Sequence, residues 1–452
     1  MIVEKKVKKN LDKIYNAALS AANPINCVGK FLEEKDDILK IGNKKYDLNY
    51  YKKIYIISFG KAAYEMAIGA QKILKKKITK GLIVSNTSNK KKIPGFRFIE
   101  SSHPVPDNRS VKAANAIISL LDKTKKNDLV IFLISGGGSS LIALPDKNIT
   151  LEDKKITTQI LLKSGVDTNT LNTVRKKISA IKGGGLLEYS YPSEVATLIM
   201  SDVVGDHIDV IASGPTLPDK SNAKEAWREI MELGIENKLP PKVVINLENP
   251  LKEQHKKQKL SKQNTIVIGN NLKSLKSAKK EAENLGYNTL ILTSQIKGEA
   301  KVVAKSLASI ALEIKNSNIP VEKPACLIVG GETSVKVKGS GLGGRNSEIA
   351  LAFAIEITNE DKISALFAGT DGIDGITDAA GAYCNGASRI KSRKAGVSAK
   401  DSLINNDSYS FFKKAGDLKI TGPTGTNVND VGIIFIEEIG RAHVWTPVTS
   451  DD

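Results

Sequence analysis

Apolar positions along the chain follow two rhythms. Val3, Val7, Leu11, Ile14 and Ala18 recur three or four residues apart, which predicts an amphipathic helix closed by Asn23-Pro24. Beyond it, short β-rich runs at 54–58, 81–85, 129–135 and 196–202 alternate with segments of helical period at 62–74, 110–121, 151–162 and 173–181. That alternation predicts a parallel, doubly wound α/β sheet, whose ligands would sit at the carboxyl ends of the strands. A Lys/Gln/Pro-rich stretch over 237–264 reads as a linker or lobe edge. A second α/β series follows, with strands expected at 265–268, 289–292, 325–329, 334–338, 364–368 and 431–436. Two domains with a cleft between them is the simplest architecture, and no repeat of solenoid period is visible.

Composition narrows this picture. The 452 residues are 41% hydrophobic and 26% charged, a globular balance rather than a fibrous or disordered one. The longest uncharged stretch, 129–145, is interrupted by glycines and serines and is shorter than the roughly 20 apolar residues of a bilayer span. No membrane helix and no export signal are expected. Three scattered cysteines, Cys27, Cys326 and Cys384, point to a reducing cytoplasm. The net charge of +18 raises the question of a nucleic-acid partner, but only 8 of the 67 basic residues are arginine. Dispersed lysines with few aromatic rings describe a solvated surface, so no nucleic acid is expected. The tail from 438 to 452 fits neither strand nor amphipathic helix and reads as a non-native extension, so His443 and Trp445 carry no functional weight.

The candidate chemistry lies at the strand ends. Ser135-Gly136-Gly137-Gly138-Ser139-Ser140 follows an apolar run; its glycines free the backbone to turn N–H groups toward an anion, and an ordinary tight turn is the rival reading. Lys61, in Gly60-Lys61-Ala62, falls at a helix start, where free N–H groups and a dipole favour a carboxylate. Asp202 and Asp206 leave the 196–200 run as candidates for proton transfer or metal binding. The 339–344 stretch satisfies G-x-G-x-x-G, yet its preceding strand alternates with lysines; a flexible loop delivering Arg345 to a phosphate is the better fit. Asp371 and Asp374, among glycines, suit Mg²⁺ beside phosphates or a structural turn.

Together, Gly60-Lys61-Ala62, Ser102-His103-Pro104-Val105-Pro106-Asp107, the 135–140 loop, Lys182-Gly183-Gly184, the Ser201–Asp206 run, Ser213-Gly214-Pro215-Thr216, Gly330-Gly331-Glu332-Thr333, the 343–348 and 369–375 runs and Gly422-Pro423-Thr424-Gly425-Thr426-Asn427 resemble the ordered motifs of the type-2 glycerate kinases, over about 11–436. The resemblance implies a Rossmann-like three-layer N-terminal domain with a parallel sheet (1–245), a smaller α/β MOFRL domain with a mixed sheet (246–437), and a site in the cleft between them. It implies phosphoryl transfer from ATP to D-glycerate, giving 2-phosphoglycerate, with Mg²⁺ or a similar ion. Carried onto matching positions, Lys61, Asp202 and Arg345 would be catalytic. Ser135, Gly136, Gly137, Gly138, Ser139, Ser140, Gly343, Gly344, Asn346, Thr424 and Asn427 would hold substrate or phosphate, with metal roles open to Asp206, Asp371 and Asp374. A nicotinamide-dependent hydroxypyruvate reductase and a non-catalytic nucleotide binder are the alternatives. A homo-oligomer stays open.

Overall fold

The computed structural model of the chain describes residues 2–86, 91–248 and 260–438. The chain divides into two units. One takes Leu19–Ser274 with Gly425–Asn429; the other takes Met1–Ala18, Leu275–Thr424 and the chain from Asp430 on.

In the first unit a small antiparallel meander, β1 (Leu32–Lys35), β2 (Ile38–Ile41) and β3 (Lys44–Asp47), precedes the main sheet. That sheet contains β4 (Lys53–Phe59), β5 (Ile78–Ser85), β6 (Phe96–Glu100), β7 (Asp128–Ile134), β8 (Glu194–Met200) and β9 (Gln263–Gly269). They lie in the order β6-β5-β4-β7-β8-β9 and every pair is parallel. A parallel strand covered on both faces reads as a continuous apolar run, and each residue of β7 is buried. The period of two then sends Leu129, Ile131 and Leu133 into one core and Val130, Phe132 and Ile134 into the other. Four helices, Leu151–Ser164, Thr168–Lys177, Ala223–Glu232 and Pro241–Glu248, enclose a separate small core around Leu161, Val174 and Ile230.

The second unit holds a mixed sheet of β10 (Asn288–Ile296), β11 (Ala325–Gly331), β12 (Ile363–Gly369), β13 (Gly381–Asn385), β14 (Leu418–Lys419) and β15 (Asp430–Ile436). Its order is β10-β11-β15-β12-β13-β14, parallel between β10 and β11 and antiparallel elsewhere. Tyr15, on the first helix (Ile2–Ala21), donates its hydroxyl to the Gly369 carbonyl at 2.6 Å and is completely buried.

Several expectations change. The run at 265–268 is the last strand of the first sheet, because β9 pairs with β8, so the predicted boundary at residue 245 falls too early. The first helix groups instead with the second unit. Residues 334–338 form no strand; Ser334 makes one isolated bridge to Glu299. Pro24 opens a new helix, Pro24–Phe31, at the position where a missing N–H costs nothing. The Lys-rich segment 249–259 and the tail from 439 lie outside the described residues. No helix among the described residues is long and apolar enough to cross a membrane.

Candidate active site

Strand order in the first sheet grows outward from β4 in one direction and from β7 in the other, so the reversal lies between them. A crevice opens at the carboxyl ends of strands at such a point. The loops that leave there are Gly60-Lys61 after β4 and Ser135–Ser140 after β7, and they are tied together. The amide of Lys61 donates to the Gly136 carbonyl at 2.9 Å, and that of Ala62 to Ser135 Oγ at 3.0 Å. Gly60 has φ +128°, and a Cβ there would press on the backbone of Ser135. The two amides just before the helix Ala63–Leu74, expected to be free for an anion, are therefore spent on the neighbouring loop, and Ala63 N bonds Gly60 O at 3.2 Å. What Lys61 offers a ligand is its ammonium group.

The glycine loop is different. None of the amides of Gly136, Gly137, Gly138 and Ser139 finds an acceptor among the described residues, although Gly138 is buried. Successive unpaired N–H groups in a tight turn form an anion-binding concavity. Two side chains flank it: a Cβ on Gly137 would lie 2.9 Å from His103 Cδ2 and 3.2 Å from Lys61 Cγ. Burial, and then the charge of Lys61, hold the His103 imidazole below its ordinary pKa, so it is neutral at pH 7. No role was assigned to His103 from sequence, yet it follows β6 closely and reaches the same loop. Asp202, just past β8, packs over Gly136; a Cβ there would come within 2.8 Å of Oδ1 and nearer still to Oδ2. Asp206 is held at φ +55° with its carboxylate accepting from the Asn270 amide group.

In the second unit β15 runs antiparallel to both neighbours. Its first residue, Asp430, therefore pairs with the last residues of β11 and β12, Gly331 and Gly369. Arg345, first residue of the helix Arg345–Glu356, grips Asp430 in a fork, Nε to Oδ2 at 2.6 Å and Nη2 to Oδ1 at 3.1 Å. Its Nη1 reaches Glu332 at 2.5 Å, and the Asn346 side chain donates to Asp430 at 3.0 Å. Burial lifts the Asp430 carboxyl to about 6 against the pull of Arg345. Burial would lower the Arg345 pKa, but Asp430 and Glu332 outweigh it and raise it. Glu332 and Asp430 are thus partners that the sequence reading did not assign.

Two predicted roles change. Asp374 was a metal candidate, but it caps the Arg345 helix: its oxygens accept Asn346 N and Ser347 N at 2.8 Å each and Ser347 Oγ at 2.6 Å. The glycine loop before Arg345 is pinned rather than flexible. The amides of Lys338 and Gly339 donate to Asn406 Oδ1, and those of Ser340 and Leu342 to the side chains of Asn405 and Asp407. Gly343 and Gly344 give clearance: a Cβ on either would collide with Ser408 or Asp374, and Gly344 N is taken by Ser347 Oγ at 3.1 Å. With its amides used at every position but Gly343 and no strand before it, this stretch lacks the features of a dinucleotide fingerprint. Asp371 Oδ1 accepts Ile373 N at 3.1 Å, Thr424 N bonds Asp371 O at 3.2 Å, and Asn427 Oδ1 accepts Asn429 N at 3.1 Å. A cavity of about 470 Å³ beside Lys8, Tyr383 and Lys391 touches none of these residues.

Comparison with known proteins fits this geometry. A domain of unknown function, DUF4147, matches residues 10–248, and the MOFRL family matches residues 325–430. A D-glycerate 2-kinase of Thermotoga maritima is 43% identical over 85% of this chain and 91% of its own. A protein of Agrobacterium vitis named putative hydroxypyruvate reductase is 36% identical over 94% of each chain. The crystal structure of a glycerate kinase from Thermotoga maritima superposes with a TM-score of 0.85 at 39% identity, covering 96% of this chain and all of the other.

Proposed function

The chain belongs to the type-2 glycerate kinase family, and we propose that it transfers the γ-phosphoryl group of ATP to the 2-hydroxyl of D-glycerate, giving 2-phosphoglycerate and ADP. The observation that carries this reading is the unpaired run of amides at 136–139, bordered by Lys61, His103 and Asp202, at the switch point of a parallel sheet. Phosphoryl transfer asks for positioning and for cations over the equatorial oxygens rather than for a covalent intermediate.

In this mechanism Lys61 pairs with the glycerate carboxylate, and neutral His103 orients it through a hydrogen bond. The Asp202 carboxylate takes the proton from the attacking hydroxyl as the new P–O bond forms and the bond to ADP breaks. Arg345, aimed by Asp430 and Glu332, stabilises charge on the transferring group. Mg²⁺ would neutralise phosphate charge. Among the described residues no three His, Cys, Asp or Glu side chains cluster as a metal cage. Mg²⁺ in phosphoryl transfer uses one or two carboxylates with phosphates and water, a set that Asp202 with Asp206 fits.

The test couples ADP release to D-glycerate, ATP and Mg²⁺, with phosphorus NMR of the product and Lys61→Ala as control. Phosphate on the 2-position, with turnover lost in the variant at subsaturating D-glycerate and recovered as its concentration rises, is the expected result. NADH oxidation with hydroxypyruvate, without ADP release, would overturn the reading.

A further inference from the structure

Behind Ser139 the first unit holds three cations, Lys182 and Lys154 buried and Arg175 half-buried, with little among the described residues to neutralise them. Lys182, 7% exposed, donates from Nζ to the Ser139 carbonyl at 3.0 Å and contacts the hydroxyls of Ser139 and Ser213. All these partners are neutral. Lys154, as deeply buried, donates to the Ile178 carbonyl at 3.0 Å. The guanidinium of Arg175, about one helical turn before Ile178, makes no hydrogen bond or ion pair with the described residues. The charged neighbours of Lys182 are Lys154 and Arg175; Lys154 has Arg175 with Asp146 opposing it. The adjacent lysines of the same helix are treated otherwise. Lys176 lies 3.3 Å from Asp209 and 3.5 Å from Asp219, and Lys177 lies 3.2 Å from Asp219. The fold thus supplies carboxylates to the two lysines beside Arg175 and withholds them from Arg175 and Lys182.

A buried cation without a counter-charge costs several kcal/mol, and the usual escape is loss of the proton. Burial and mutual repulsion do push Lys154 down to about 7 and Lys182 well below its ordinary value. Arg175 has no such escape, because a guanidinium stays charged. Next to it, Lys182 grips the residue that ends the run of unpaired amides.

We propose that Arg175 and Lys182, with the free amides of the loop ending at Ser139, form a subsite for a dianionic phosphate group. A carboxylate brings one charge and two oxygens; a phosphate monoester brings nearly two charges and three oxygens, which matches the fixed charge of Arg175, the proton that a bound anion would restore to Lys182, and several N–H donors. The assignment deepens the kinase reading and rests on it for the identity of the ligand, since a phosphoryl donor and a phosphorylated product both carry this group.

Calorimetric titration of the intact protein with ADP, with 2-phosphoglycerate and with D-glycerate tests the proposal in wild type, Arg175→Met and Lys182→Gln. A charge-assisted contact is worth about 1.5–3 kcal/mol, so the dissociation constant of the phosphate ligand should rise roughly tenfold to a hundredfold while that of D-glycerate holds. Weakening of ADP alone places the nucleotide's phosphates in the subsite; weakening of 2-phosphoglycerate alone places the product's there. Arg175→Met removes no hydrogen bond, so its melting temperature should hold or rise, which keeps the test sound if Lys182→Gln folds poorly. Unchanged binding of both phosphate compounds in both variants, or equal weakening of D-glycerate, would overturn the subsite. A wild type that binds them through Arg175 but releases no ADP from ATP and D-glycerate would leave the subsite standing and sink the kinase reading.

Discussion

Replacing Gly136 by alanine tests whether Asp202 works at the reacting centre. The new Cβ would stand 2.8 Å from Asp202 Oδ1 and closer still to Oδ2, whereas real Cβ atoms essentially never approach within 3.0 Å. The backbone offers little relief, because Ser201 N is fixed to Gly269 O at 2.8 Å and Lys61 N to Gly136 O at 2.9 Å. The carboxylate must therefore swing away by over an ångström. A misplacement of about 1 Å in a catalytic group costs on the order of a hundredfold in rate, near 2.7 kcal/mol of barrier. The expected result is a kcat about a hundredfold lower, with about 1–3 kcal/mol of stability lost to overpacking. Gly29→Ala is the control: it adds a methyl group inside the helix Pro24–Phe31, where nothing lies within 4 Å. It should gain about 0.5–1 kcal/mol of stability and keep wild-type kcat. In an Asp202→Asn background the same Gly136→Ala change should cost little further rate, since the carboxylate it displaces is already gone. Steady-state kinetics beside thermal melts reads wild type and all four variants. Wild-type kcat in Gly136→Ala, or the full hundredfold loss recurring in the Asn background, would refute the reasoning.

Arg345→Ala should lower kcat far more than it raises the KM for D-glycerate, and Arg345→Lys should not restore it, because an ammonium cannot reproduce the fork onto Asp430; a pure KM effect in steady-state kinetics would contradict that role. Lys61→Ala should act in the opposite sense, mainly raising the KM for D-glycerate, as substrate titrations of the variant would show. Asp374→Ala leaves two buried amides of the Arg345 helix without acceptors and should cost about 1–3 kcal/mol in a denaturant melt. The Asp430 carboxyl sits at about 6 in the folded protein against its ordinary 3.8, so the folded state holds the proton longer. Its stabilising contribution is complete below pH 4 and is lost as pH rises through 6, so the stability of wild type relative to Asp430→Asn should fall across that window.

The parallel sheet was legible because fully buried strands leave uninterrupted apolar runs, as β7 does. Polar or short strands were not: β1 (Leu-Glu-Glu-Lys) and the two-residue β14 are held by their neighbours rather than by a periodic face of their own. The expected strand at 334–338 failed because alternating lysines match the period of a strand with no sheet beside them to pair with. Strand 263–269 went to the wrong unit because nothing local says which sheet a strand joins; pairing with β8 decides it. Lys61, Asp202 and Arg345 stand out in the sequence through their places at strand and loop ends. His103, Glu332 and Asp430 were not, because what recommends them is what they face, and Asp430 reads in sequence as the polar residue before a strand.

The glycine-rich motifs look alike in sequence, but hydrogen bonding divides them into two kinds. Around 339–344 the amides other than that of Gly343 are consumed by the 405–407 turn and by Ser347, so those glycines supply clearance, and a ligand there would have to break existing bonds. Around 60–63 the amides are consumed too, those of Lys61 and Ala62 by the partner loop, that of Gly60 by Val84 O and that of Ala63 by Gly60 O. At 136–139 the backbone makes the same close approaches, Asp202 against Gly136 and His103 against Gly137, and yet leaves four N–H groups without acceptors among the described residues. Unpaired buried amides cost free energy, so they persist where something else satisfies them. That difference, and not the number of glycines, is what sets the loop after β7 apart as the proposed anion site.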